Sequence, residues 1–226
     1  LAHPAAPTPA SAVLSGAIIK TGLLGMIRFL PLGEVAMYEW GVICVAVGIA
    51  SAFIGVLIGL TQHNPKTVLA YSSVSQMGLV SIGLGAALMV PAAWATISAA
   101  ILLFTVHHAV TKAALFLGVG VAQAKMASRT SQALATSGLV LAALALAGLP
   151  LTSGFVAKNG LKYAAAAMPE FWALSLAWLV PLTGVTTTLL VCRFLYLVRP
   201  SRQNSHGQLS SSMAITWGIL TVGPVV

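Results

Sequence analysis

The stretch ILLFTVHHAVTKAALFLGVGV, residues 101–121, is apolar enough to cross a bilayer, yet it carries His107, His108 and Lys112 near its middle. About 20 predominantly apolar residues make a transmembrane helix. On such a helix His108 and Lys112 are i and i+4 and share a face, which Thr105, three residues before His108, extends. An ammonium in hydrocarbon is costly, so it faces protein or water and marks a transport path. Imidazole titrates near neutrality and burial disfavours the charged form of an amine, so this row can pass a proton through hydrogen-bonded water. A structural polar cluster is the competing reading. Two adjacent histidines with no nearby acid make a poor metal site, and no metal is expected.

Two further lysines repeat the pattern. Lys20 lies about eleven residues into an apolar run, roughly 16 Å along a helix, too deep for easy snorkelling. Lys158 follows AGLPLTSGFVAK, residues 147–158, where Gly148, Pro150 and Gly154 are expected to interrupt a helix. A broken helix exposes carbonyls that solvate an ammonium, which suits a gate; a lysine near the interface is the alternative. The chain has three acids, Glu34, Glu39 and Glu170, all in or beside predicted loops. None is placed to pair with these amines. In HNPKTVLAYSSVSQMG, residues 63–78, the polar residues Tyr71, Ser72, Ser73, Ser75 and Gln76 run inward from a Pro–Lys helix start. They serve either as a proton inlet or as interhelical hydrogen-bonding glue, and the sequence leaves both open. His3 and His63 are expected at the interface.

Composition agrees with a membrane chain. Charged residues make up 6% of the sequence, against roughly 25% in soluble domains, and the mean hydropathy is +0.98. Apolar runs predict helices at about 9–30, 38–60, 66–88, 94–122, 133–164, 171–198 and 210–226, a single all-α membrane domain with no soluble part. Cys44 and Cys192 stand in separate apolar runs and read as small buried hydrophobes. The net charge of +8 is spread over short loops, which argues against nucleic acid. Lys66, Lys125, Arg129, Arg199 and Arg202 fall on one side; Glu34, Glu39 and Glu170 fall on the other, with Arg28 and Lys162 at helix ends. The positive-inside rule makes the first side, and Leu1, cytoplasmic.

Four segments carry a family likeness: AHPAAPTPASAVLSGAIIKTG (2–22), PKTVLAYSSVSQMG (65–78), HHAVTKAALFL (107–117) and AGLPLTSGFVAK (147–158). In order and spacing they resemble the antiporter-like subunits of respiratory complex I, of group 4 hydrogenases such as formate hydrogenlyase, and of Mrp antiporters. The AHPAAP wording is most similar to hydrogenase-4 subunits. The resemblance implies a fold of about fourteen helices with two inverted repeats, each holding a broken helix. This chain would then correspond to its C-terminal half, helices eight to fourteen, with the N-terminal half absent. Lys20 matches the central lysine of helix eight, His108 and Lys112 the pair of helix eleven, and Lys158 the terminal lysine of helix twelve.

The expected function is proton translocation in a redox-driven complex of a bacterial or archaeal cytoplasmic membrane. Protons would follow Lys20, His107, His108, Lys112 and Lys158, with other membrane subunits and lipid as partners. The sequence carries no flavin, haem, iron–sulfur or quinone signature, so no cofactor is expected and electron chemistry falls to the partners. An Mrp-type sodium/proton antiporter subunit and a non-conducting scaffold are the rival readings.

Overall fold

The structure is a computed structural model that describes residues 2–124, 128–198 and 210–224. Lys125, Arg199 and Arg202, and the side of the membrane assigned to Leu1, lie outside the described residues. A helical turn α1 (Ala2–Ala5) precedes the first apolar span, which is made of α2 (Thr8–Val13), a π-helical segment (Leu14–Ile18) and α3 (Ile19–Phe29). Then follow α4 (Tyr38–Leu60), α5 (Pro65–Met89), α6 (Trp94–Gln123), α7 (Arg129–Ala147), α8 (Ser153–Ala166), α9 (Glu170–Leu197) and α10 (Ser211–Val222). Among the described residues six helical stretches are long and apolar enough to span a membrane. The described part of the last, α10, is shorter.

Helix α5 is the centre of the bundle. It begins on an Asn64 cap, whose side chain accepts from the Lys66 backbone N–H, with Pro65 at the first helical position. It lies along α4 and also touches α6, α8 and α9. Small residues permit the α4–α5 approach: a methyl at Gly48 would come within 2.6 Å of the Gly78 carbonyl oxygen. Without a hydrophobic drive between helices in lipid, such close backbone packing is what holds two spans together. Helix α6 packs against the first span, α7, α8 and α10, so α5 and α6 form a buried pair with the other helices around them.

The run read as 133–164 divides into α7 and α8. Gly148 adopts φ +86°, the left-handed conformation that ends helices at glycine. Its N–H bonds the Ala145 carbonyl and the Leu149 N–H bonds that of Leu144, the paired bonds of a Schellman motif. Pro150 follows, Leu151 is also left-handed at φ 66°, and α8 starts at Ser153. The Ser153 N–H is satisfied by the Pro224 carbonyl just past α10.

Gly154 plays a different part from the one expected. It lies inside α8, not in the break, and a side chain there would strike the Ala145 carbonyl. Its role is to let α8 pack closely onto the end of α7.

Gly148→Ala is predicted to destabilise the fold by about 1–2 kcal/mol, since it forces a β-carbon into a left-handed residue, 2.8 Å from Lys158 Cδ. Thermal unfolding in detergent measures it; an unchanged midpoint contradicts the left-handed helix end.

Candidate functional site

Lys112 is fully enclosed, with no exposed surface. Its Nζ donates to the Leu69 carbonyl at 2.7 Å and to Ser72 Oγ. Ser72 in turn donates to the same carbonyl at 2.9 Å. One position on, Ser73 bonds Leu69 O at 3.2 Å and lies 2.9 Å from Ser15 Oγ of the first span. The Ser15 carbonyl accepts from Lys20 Nζ. Lys20, Ser15, Ser73, Leu69, Ser72 and Lys112 therefore form one hydrogen-bonded row across three helices, buried except at Lys20. The serines of α5 are its middle.

His108 adjoins this row. It is fully buried, stacked on Phe104 with ring centroids 6.4 Å apart, and neither ring nitrogen has a partner among the described residues. Lys20, Lys112 and His107 are all within electrostatic reach of it. Buried polar atoms without a partner are uncommon and costly.

His107 looks elsewhere, because consecutive helical residues point about 100° apart. Its Nδ1 lies 2.8 Å from Ser153 Oγ at the start of α8, with Thr111 Oγ1 at 3.4 Å. Lys158 is the charge near it. The Lys158 amine folds back across the break and donates to the Ala147 carbonyl at 2.8 Å. The two histidines thus face different ends of one arrangement: His108 the lysine row, His107 the break.

The remaining sequence candidates separate. Ser75 donates to Ala52 O at 2.7 Å and acts as glue between α5 and α4. Gln76 donates to Thr187 at 3.0 Å and ties α5 to α9. Tyr71 is half-buried at the α4 contact. Ser72 and Ser73 belong to the row. The three acids Glu34, Glu39 and Glu170 are exposed and stand apart from it.

Nothing in the sequence singles out Ser15. It sits five residues before Lys20, inside the π-helical segment Leu14–Ile18. Ordinary helix spacing pairs residues three or four apart. Ser153 was open to inference from its place beside the break. His3, expected at the interface, is partly exposed and stacks on Phe116 at 4.7 Å, with its Nδ1 buried and without a partner among the described residues. Burial, then the charges of Lys112 and Lys66, hold this imidazole below its ordinary value.

Comparison with known proteins decides the family. Residues 1–190 match the family described as NADH:quinone oxidoreductase/Mrp antiporter, TM. The chain belongs to this family. It is 32% identical over 171 residues to formate hydrogenlyase subunit 3 of Escherichia coli, covering 70% of this chain and 28% of that protein. It is 34% identical over 176 residues to a putative antiporter subunit, mnhA2, of Staphylococcus aureus, covering 69% and 22%. The matched regions thus span about a quarter of those relatives' length. Among solved structures it resembles a chain of the Mrp complex from Dietzia sp., with TM-score 0.66, 26% identity, and coverage of 81% of this chain and 34% of that one. It also shares the fold of a chain in an archaeal membrane-bound sulfane sulfur reductase, with TM-score 0.73 at 22% identity, covering 95% and 38%.

His3 is predicted to take up its proton below the ordinary imidazole value of 6.5, because the neutral ring is the form that its half-buried site favours. NMR titration of the histidine-labelled protein in detergent micelles reads this. Protonation at or above 6.5 contradicts a half-buried His3 stacked on Phe116.

Proposed function

We propose that the chain is the proton-translocating part of an antiporter-like subunit in a redox-driven membrane complex. The observation that carries this reading is the buried row from Lys20 to Lys112, flanked by His108, with the arrangement extending through His107 to Lys158 at the helix break. An amine held by carbonyls and hydroxyls, without a carboxylate, is only weakly committed to its charge. It can release a proton to a neighbouring water or imidazole and regain one, and each neighbour's charge then shifts the balance of the next. Lys20 and Lys112 exchange protons through His108. His107 carries the proton on to Lys158, which leaves the Ala147 carbonyl as it discharges.

The complex lies in a bacterial or archaeal cytoplasmic membrane, with other membrane subunits as partners. Lys66 and Arg129 face the cytoplasm. The named relatives, a hydrogenlyase subunit and subunits of Mrp-type antiporters, support partners of this kind. They also favour one second reading, a sodium/proton antiporter subunit. Sodium prefers oxygen ligands, carboxylates foremost, and a line of lysines and histidines with no acid beside it favours protons.

Lys112→Ala and Lys158→Ala are each predicted to lower proton flux by about tenfold or more, the scale of a lost proton-transfer group, while the subunit still reaches the membrane. Inverted vesicles with a pH-sensitive dye measure the flux, and immunoblotting measures assembly. Undiminished flux in both variants contradicts proton translocation through this chain and supports a scaffold. A sodium-dependent flux lost in the same variants supports the antiporter reading instead.

A further inference from the structure

The first span and α6 leave a groove of about 360 Å³ between them, lined by Lys20, Thr21, Ser98, Ile101, Leu102 and Thr105 among others. It is mainly apolar, and Lys20 and Thr105 approach it from opposite helices. Lys20 donates to the Ser15 carbonyl, but an ammonium has three donors, and its flexible stem lets the head group move.

Among the described residues Thr105 is the one threonine whose buried hydroxyl has no partner. A threonine hydroxyl within a helix commonly turns back to a carbonyl three or four residues earlier. Thr136, Thr183, Thr187, Thr188 and Thr221 all do so. Thr105 sits in the middle of α6 with earlier carbonyls on its own helix, yet its Oγ1 is buried and has no partner among the described residues. One turn on, on the same face, stand the two unpartnered ring nitrogens of His108. The hydroxyl therefore lies between a groove holding an amine and an imidazole whose nitrogens have no partner among the described residues.

We propose that Thr105 is the hydroxyl relay between Lys20 and His108, a role that rests on the proton path proposed above. In the transfer, an N–H bond of the Lys20 ammonium breaks and its proton passes to Thr105 Oγ1, directly or through one water. The original hydroxyl proton leaves for a ring nitrogen of His108. Lys20 becomes a neutral amine, His108 an imidazolium, and Thr105 ends as it began. No other group changes charge. The groove supplies the space in which the lysine head moves from the Ser15 carbonyl to Thr105.

Thr105→Val removes the hydroxyl at nearly constant volume, and Thr105→Ser keeps it. In vesicles containing equal amounts of assembled protein, Val is expected to cut proton flux about tenfold and Ser to retain most of it. If the Val variant does not assemble, Thr105→Ala takes its place. Lys20→Ala is measured alongside to separate two kinds of failure. Flux lost in Lys20→Ala but unchanged in Thr105→Val overturns the relay and leaves the path standing. Equal losses in Val and Ser also overturn it, since shape rather than the hydroxyl would then matter. Full flux in Lys20→Ala removes the path and the relay together.

Discussion

An ammonium inside a membrane protein needs something to hold it, and this chain places no carboxylate beside its buried lysines. Glu34, Glu39 and Glu170 are exposed. The lysines are held by backbone carbonyls and serine hydroxyls, and the packing follows from that need. Helix α5 must come close enough to α6 for Leu69 and Ser72 to hold Lys112, and to the first span for Ser73 to reach Ser15, whose carbonyl holds Lys20. Its tight, glycine-mediated contact with α4 supports it from the other side. A carboxylate would fix each lysine in its charged form, whereas dipoles stabilise the charge less and leave it able to change.

Regular helices use up their own carbonyls, so irregular backbone supplies much of what the lysines bind. Lys158 takes the Ala147 carbonyl at the end of α7, where the glycine-ended helix stops. Lys20 takes the Ser15 carbonyl inside the π-helical segment. Lys112 shares the Leu69 carbonyl with Ser72 and Ser73. π-helical segments and interrupted helices occur often at functional sites in membrane proteins for this reason. Here both stand next to a titratable amine.

Much of this was legible in the sequence because it depends on local chemistry. Gly148 and Pro150 announce a helix end, and apolar runs with embedded lysines announce spans around a polar centre. The split of the fifth run into α7 and α8 follows from that local signal. Three features were not legible, each because it depends on tertiary placement. The π-helical segment, and with it the pairing of Ser15 with Lys20, leaves no mark on helical periodicity. The four polar side chains in 72–76 look alike along the sequence, yet Ser72 faces Lys112, Ser73 faces Ser15, Ser75 faces α4 and Gln76 faces α9. Gly154 reads as a breaker and is a packing contact, since only the docking of α8 on α7 decides its use.

The central claim is that the row of buried amines is wet. A cryo-electron microscopy map of the protein in lipid nanodiscs, at a resolution that shows ordered water, tests this most directly at His108. The account predicts water at the His108 ring nitrogens, joined to Lys112 on one side and to the Lys20 groove on the other. Ring nitrogens packed only against dry apolar side chains, with no solvent density between the lysines, would contradict it.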